Sequence, residues 1–185
     1  LSVVAVLSAC ETPLKVQTLP DITFAHFEPI RLNVVKIETV SGYKAPLKAP
    51  NVDHLFQITP ERALKNWARD RLAATGAKGN ARFVIKNAAA TESKLKIDKG
   101  FTGQFKKELS ERYTVFIEAE LQVTDAAGAV RAQASAKAER SRTITEDASL
   151  NQREKLWHDI TRAAMADFNG AMERAIKGHF KGWLN

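Results

Sequence analysis

Alternating apolar and polar residues predict a β-hairpin in the second half of the chain. Residues 113–124 alternate apolar with polar side chains except at Phe116, and residues 130–139 alternate small apolar side chains, mostly alanine, with polar ones. The intervening residues 125–128 read Asp-Ala-Ala-Gly, a composition typical of a turn. If Thr124 pairs with Ala129, both apolar rows lie on one face of the sheet. The alanine row then leaves room for a helix to lie close against that face.

Apolar positions predict two more strands upstream of the hairpin. In residues 30–40 the apolar residues alternate, but the phase of the alternation shifts by one at Val34 and Val35. A single strand with a β-bulge at that point accounts for the shift. Residues 81–89 form the other strand, in which alternate apolar positions share one face.

Helical spacing of apolar residues predicts a helix that begins at Thr59-Pro60-Glu61. A threonine N-cap, a proline at the first helical position and an acid near the positive end of the dipole are typical of a helix start. The apolar residues of this helix are Leu64, Trp67, Ala68, Leu72 and Ala73. Gly76 is expected to end it.

A second helix is predicted after the hairpin. Ser149 is a suitable N-cap, and Gln152 three residues later gives the spacing of a capping box. The apolar stripe of this helix comprises Trp157, Ile160, Ala164, Phe168, Met172, Ala175 and Ile176. We expect the stripe to cover the sheet, and Asn169-Gly170 marks a point where the helix is expected to kink or divide.

The order of these elements, β-α-β-β-β-α, predicts an α+β fold. We expect a single antiparallel β-sheet of about four strands with two helices on one face, because that arrangement buries every apolar row. Residues 27–185 form this single α+β domain. A chain of 185 residues can bury a core that needs neither a disulfide nor a metal to fold.

Residues 1–10 differ from the rest of the chain because they carry no charge and are almost wholly apolar. Their length and character are those of the hydrophobic region of a signal peptide, so residues 1–9 are interpreted as a signal-peptide remnant. Residues 10–26 contain Pro13 and Pro20 and little periodicity, and are expected to form a lipidated tether. A hydrophobic strand with a buried free cysteine is the alternative interpretation of the first ten residues.

The segment Leu7-Ser8-Ala9-Cys10 resembles the lipobox of bacterial lipoproteins, in which a leucine and two small residues precede an obligatory cysteine. This resemblance implies that Cys10, the only cysteine, is diacylated and then N-acylated, so that palmitate-type chains anchor the protein in the lipid bilayer. It also implies a location in the cell envelope, on the periplasmic side. Glu11 stands where an aspartate would retain such proteins in the inner membrane, so the outer membrane is favoured over the inner.

The predicted order of strands and helices resembles that of the auxiliary lipoproteins of ABC-type lipid transporters. It is similar also to the lipoprotein that plugs the lipopolysaccharide-export barrel. This likeness is one of topology, over residues 27–184. Residues 139–150 in addition resemble a run in uncharacterised proteobacterial lipoproteins. These resemblances imply an accessory or assembly component that binds a membrane-protein or lipid-transport partner.

The chain is basic, since 28 lysines and arginines against 21 acidic residues give a net charge of +7. For an envelope protein we expect the counterpart to be a membrane-protein complex or an anionic envelope component, and no nucleic acid. The candidate contacts with an anionic partner are Arg62, Lys65 and Arg69, on one face of the first helix. A candidate polar cluster that would meet a phosphate or carboxylate comprises Arg140, Arg142 and Arg153. The candidate apolar contacts are Phe101, Phe105, Phe180 and Trp183, the last two in an exposed tip after the second helix.

Each of these groups also has a purely structural interpretation. The basic helix face is explained more simply as a solvated surface. The arginine cluster is explained as a set of salt bridges that fixes the start of the last helix. The phenylalanines among the lysines and glycines of residues 93–109 are explained as side chains that fold back onto the domain.

The sequence contains no motif of a known catalytic site. It has neither a Gly-x-Ser-x-Gly elbow nor a glycine-rich phosphate loop, and its four histidines are far apart. We therefore expect no enzymatic activity, no cofactor and no metal, and a protein that acts by binding. The alternative is a free-standing periplasmic binder of lipid or glycan, which needs a concave apolar pocket, and an uncharacterised hydrolase is third.

Overall fold

A computed structural model describes residues 18–95 and 109–185. In chain order it contains β1 (Ile30–Leu32), β2 (Lys36–Ser41), α1 (Pro60–Arg71), β3 (Leu72–Ala74), β4 (Asn80–Lys94), β5 (Leu109–Thr124), β6 (Val130–Thr145) and α2 (Leu150–His179). A short 3-10 turn, Asp53–Leu55, precedes α1. The fold is therefore of the α+β class, as predicted.

The predicted single antiparallel sheet is wrong, because the strands form two sheets. In the first, β1 and β3 run parallel. The second has the order β2-β4-β5-β6, with β2 parallel to β4 and the other pairs antiparallel. The chain passes through α1 between β2 and β4, and a crossover of that kind brings the second strand back parallel to the first.

The predicted bulged strand over residues 30–40 is in fact two strands in different sheets. β1 ends at Leu32 and β2 begins at Lys36. Between them, Val34 is fully buried whereas Val35 is 61% exposed. The phase shift in the alternation therefore marks the point where the chain leaves one sheet for the other.

The first helix ends earlier than predicted. Thr59 is its N-cap, with the hydroxyl oxygen accepting a hydrogen bond from the Arg62 amide at 3.1 Å. The helix ends at Arg71, and the next three residues form β3 against β1. Gly76 is not a helix cap but a point of close approach, because a Cβ there would lie 2.5 Å from the Asn33 Cα.

The predicted hairpin places its apolar rows on the correct face but has a different register. Thr124 pairs with Val130 and Val123 pairs with Ala132, so Arg131 is an extra residue in β6. The pairing of Thr124 with Val130 in place of Ala129 moves the ladder by one residue and the bulge by one more, so the rest of the ladder lies two residues from the expected pairing. An even shift leaves each side chain on the same face, which is why the alanine row still faces the core.

Both helices pack on the same face of the four-stranded sheet. The ring of Trp67 in α1 lies 5.3 Å from Phe83 of β4 and 5.3 Å from Phe168 of α2, centroid to centroid. The predicted capping box at the start of α2 is confirmed. The predicted kink or division of α2 at Asn169-Gly170 is wrong, because the helix is continuous from Leu150 to His179. The Asn169 side chain is buried and accepts a hydrogen bond from the Trp67 indole at 2.9 Å.

Candidate functional site

An open cleft of about 620 Å³ lies where β1 meets the C-terminal ends of α1 and α2. The aromatic and charged residues that line the cleft are Phe27, Glu28, Arg31, Arg71, Glu173 and Lys177. Phe27 and Glu28 belong to the segment that leads into β1, and Arg31 lies in β1 itself. Arg71 is the last residue of α1, and Glu173 and Lys177 lie in the last turns of α2. The cleft is therefore built where three separate parts of the chain converge.

Arg71 is the structural centre of the cleft. Its side chain is 3% exposed and forms an ion pair of 2.7 Å with Glu173. Its Nε donates to the Asn169 side-chain oxygen at 3.1 Å, and its Nη1 donates to the Glu28 carbonyl oxygen. The guanidinium also lies 5.2 Å from the centre of the Phe27 ring. Arg71 thus ties the segment before β1 to the end of α2.

The side chains that line the cleft include three cations and two carboxylates. Glu173 accepts a hydrogen bond from Lys177 at 2.7 Å as well as the one from Arg71. The bond from Lys177 is the largest cause of a lowered pKa for Glu173, partial burial opposes it, and Arg71 adds to it. Arg31, by contrast, is exposed and has no ion pair with any described residue.

The cleft also presents apolar surface beside these charges. Phe27 is 41% exposed, which is uncommon for a large aromatic residue, and its ring lies 4.3 Å from that of His26. Ile30 and Leu184 are partly buried and line the same cavity, and Ile176 is fully buried beneath it. The arrangement suits a ligand or partner side chain that has both an apolar part and an acidic group.

The predicted basic face on α1 exists, but each of its cations has an acidic neighbour. Arg62 pairs with Asp21 at 2.8 Å, Lys65 with Glu61 at 2.7 Å, and Arg69 with Asp70 at 2.9 Å. The three cations are largely exposed, and ion pairs with exposed cations contribute little to stability, although the Asp70 carboxylate itself is buried. These pairs nevertheless reduce the positive field that an anionic partner would meet on this face.

The arginines of the predicted polar cluster have different surroundings. Arg153 pairs with Glu111 and donates to the Tyr113 hydroxyl at 3.0 Å. Arg140 pairs with Asp167 at 2.5 Å, and Arg142 is exposed on β6, opposite Tyr113. Two of the three guanidinium groups are thus held by carboxylates of this chain. The cluster is not a preformed pair of guanidinium groups for a phosphate.

Tyr113 occupies the centre of the network around Arg153. Its ring is 1% exposed, and its hydroxyl donates towards Glu111 at 2.8 Å or Glu92 at 3.0 Å. Burial is the main reason why the pKa of the Tyr113 hydroxyl lies well above its ordinary value, and the hydrogen bond to Glu111 raises it further. The phenol therefore stays protonated and serves to join β5 to the start of α2.

The predicted exposed tip after α2 is wrong for Phe180, which is fully buried in the core. Trp183 is partly buried, and its carbonyl oxygen accepts a hydrogen bond from the Asn33 amide at 2.8 Å. Leu184 forms an isolated antiparallel bridge with Leu32 of β1. The residues after α2 thus lie along β1 and close one side of the cleft instead of projecting from the domain.

Several predicted residues lie outside the described part of the chain. These are Cys10, with residues 1–17 around it, and Phe101 and Phe105. The predicted tether extends beyond them to residue 26, and its residues 18–26 are described: Ile22 and Phe24 are buried in the core, so this part of the predicted tether packs against the domain. Within residues 18–95 and 109–185, no helix is long and apolar enough to cross a membrane. The same residues contain no group of three or more His, Cys, Asp or Glu side chains that could hold a metal ion.

The sequence interpretation missed the residues that form the cleft. A signal for Arg71 is present, because it follows Trp67 by four residues and Ala68 by three, which places it on the apolar side of α1. A charged residue on that side calls for a buried partner. The partner, Glu173, is 102 residues away, and local spacing gives no way to find it.

No family model matches this chain, and no curated protein matches it. Among solved structures it is similar to a candidate lipoprotein from Caulobacter crescentus, with a TM-score of 0.39 and 12% identity over 76% of this chain and 85% of that chain. It is also similar to a minor lipoprotein from Acinetobacter baumannii, with a TM-score of 0.38 and 13% identity over 77% of this chain and 91% of that chain. At these scores and identities the similarity carries no conclusion about family, partner or function.

Proposed function

We propose that this chain is a lipoprotein of the bacterial envelope that acts by binding, as an accessory or assembly component in contact with a membrane-protein or lipid-transport partner. It has no enzymatic role in this proposal. The cleft is its binding surface, and the observation that carries the proposal is the exposure of Phe27 and Arg31 in one cavity whose floor is fixed by Arg71. The lipobox at Cys10, the only cysteine, supports attachment to a membrane.

The chemistry of the cleft suits a partner with an acidic group next to an apolar one. Aromatic and arginine side chains contribute much of the energy in protein interfaces when they become buried. Here Arg31 is available because no described residue pairs with it, whereas Arg71 and Lys177 are already bonded to Glu173. The acidic group is therefore expected to contact Arg31, with the apolar group on Phe27.

A second candidate function is binding of a lipid or glycan without a protein partner. The observation that favours it is the volume of the cleft, about 620 Å³. Sites for small ligands typically enclose about 300–1,000 Å³. The two candidates share one surface and differ in what occupies it.

Attachment through Cys10 is tested by Cys10→Ala followed by separation of membranes from soluble protein. The variant is expected to leave the membrane fraction, because it lacks the acceptor for the acyl chains. Retention of the variant in membranes would show that another feature attaches the protein.

The role of the cleft is tested by a photo-crosslinking amino acid placed at position 27 in cells of the native host. Leu47, which is 65% exposed, provides the matched control position. We expect products from position 27 that are absent at position 47 and are lost with Arg31→Glu. Products containing envelope proteins support the accessory role, and products containing lipid alone support the second candidate. Equal products from both positions would exclude the cleft as the binding surface.

A further inference from the structure

β6 is an edge strand of unusual length. It has 16 residues, and in the sheet order β2-β4-β5-β6 it lies at the end. In residues 18–95 and 109–185, no strand pairs with its outer side. The unpaired N–H and C=O groups of such a strand are a template for another strand, and natural proteins rarely leave them available over this length.

A second copy of β6 can pair with this edge around a two-fold axis perpendicular to the sheet. Such an axis makes the strands antiparallel and keeps each side chain on its original face, so one residue must lie opposite itself. The two registers with the greatest overlap place either Lys137 or Ala138 on the axis, because these residues are at the middle of the strand. The charges on the strand distinguish between them.

The register centred on Ala138 is favoured by charge. It places Lys137 of each copy opposite Glu139 of the other, which gives two attractive pairs. It also pairs Ser135 with Ser141, so no like charges face each other near the axis. The register centred on Lys137 instead sets that lysine against itself. Opposite charges directly across a ladder stabilise it, and like charges destabilise it.

Lys137 and Glu139 are both available for this pairing. Both are exposed, and neither has an ion pair with a described residue. Lys137 lies opposite Glu118 of β5, and Glu139 lies opposite Phe116. The added strand would therefore extend a row in which Glu118, Lys137 and the second copy's Glu139 alternate in sign.

The position of α2 is compatible with this association. Asn169 of α2 bonds to side chains of α1, so α1 lies on that side. Asp167, about 200° around the helix from Asn169, pairs with Arg140 on the opposite side. This side of α2 also carries Ala163, which is small, and Gly170, beside which the Arg174 guanidinium extends. The Arg174 side chains of the two copies therefore have to turn away from the axis for the two α2 helices to lie side by side.

We propose that two copies of this chain associate through β6, with Ala138 on the two-fold axis, and form one continuous eight-stranded sheet. The partner of this surface is a second copy of the chain because the strand complements itself in charge. The proposal does not depend on the function of the cleft, which is formed by other elements.

The test compares the mass of the purified full-length chain with that of charge variants, by light scattering and sedimentation at low salt over a range of concentrations. The wild-type chain is expected to reach twice the mass of one copy, as determined for the same preparation by mass spectrometry. Lys137→Glu and Glu139→Lys each convert both attractive pairs into repulsive ones, so each should weaken association by about tenfold or more. The double variant exchanges the two charges and should restore it. Lys48→Glu, an exposed change in a loop, is the matched control and should have no effect.

Circular dichroism establishes that each variant is folded, and Lys137→Ala and Glu139→Ala replace any reversal that is not. A wild-type chain that stays monomeric overturns the proposal. So does a dimer that the single reversals leave unchanged, because it must use another surface. A double variant as weak as the single ones overturns the assigned pairing of residues 137 and 139, because its net charge equals that of the wild type. An equal effect of Lys48→Glu shows instead that net charge is responsible for the change.

Discussion

The network around Arg71 predicts that replacing this residue with methionine strongly destabilises the domain. Methionine keeps much of the buried aliphatic volume but removes the guanidinium group. The change breaks the ion pair with Glu173 and the hydrogen bonds to Asn169 and to the Glu28 carbonyl. Its effect therefore measures how far these bonds hold the segment before β1 against the two helices.

The magnitude follows from the partners that remain after the change. All three bonds are donated by the charged guanidinium group, and a hydrogen bond to a charged group contributes about 1.5–3 kcal/mol. Glu173 keeps Lys177, and Asn169 keeps the Trp67 indole, so neither loses all its bonds. We therefore expect a loss of about 3 kcal/mol in the free energy of unfolding. For a chain of this length that corresponds to a fall of about 6–12 °C in Tm.

The assay is urea unfolding followed by tryptophan fluorescence, since Trp67 and Trp157 are both buried. Arg69→Met is the matched control, because the Arg69 side chain is 64% exposed and its replacement should change stability by less than about 0.5 kcal/mol. A loss for Arg71→Met no larger than that of the control would refute the structural role assigned to Arg71. It would also remove the reason for treating the cleft as preformed.

Further predictions concern the backbone and pH. Gly79 has φ +69° and a Cβ there would lie 2.0 Å from the Thr124 carbonyl oxygen, whereas Gly128 has φ +83° and open space around it. Thermal unfolding should show a loss of about 1 kcal/mol for Gly128→Ala and at least about 2 kcal/mol for Gly79→Ala, and equal losses would contradict the steric argument. Burial alone would raise the pKa of Glu111, but the hydrogen bonds from Arg153 and then Tyr113 outweigh it and lower that pKa. The stability that Glu111 contributes is thus present above its unfolded pKa of about 4.3 and is lost as the pH falls through its lower folded value. In urea unfolding from pH 6 to pH 3, we expect the difference between wild type and Glu111→Gln to shrink, and a constant difference would show that the charge of Glu111 is not involved.

The features that could be predicted from the sequence are those determined within one or two turns of chain. The capping box at Ser149 and Gln152 depends on residues three apart, and the N-cap at Thr59 on its next neighbours. The core-facing row of the hairpin also follows from alternation alone. Its register does not, because the bulge at Arg131 depends on how the turn and the ladder fit together.

The features that could not be predicted depend on contacts between distant parts of the chain. Leu72–Ala74 continues the helical pattern of apolar residues, yet it forms β3 because β1 lies alongside it. The same contact explains why β1 separates from β2. Phe180 was expected at an exposed tip because it follows the helix beside lysines, but the tail turns back to β1 and buries it. In each case tertiary packing overrides a local preference.

The distribution of ion pairs, more than the net charge, indicates which basic residues are available to a partner. The net charge of +7 led to the prediction that Arg62, Lys65 and Arg69, on one face of α1, contact an anionic partner. The structure pairs all three with acids of the same chain. Arg31 in the cleft and Lys137 on β6 do not belong to such a dense basic face. Both are exposed, and neither has an ion pair with a described residue. An unpaired cation gains a full partner on binding, whereas a paired one must exchange an existing partner for a new one. For that reason the cleft and the β6 edge are better candidates for recognition than the most basic helix.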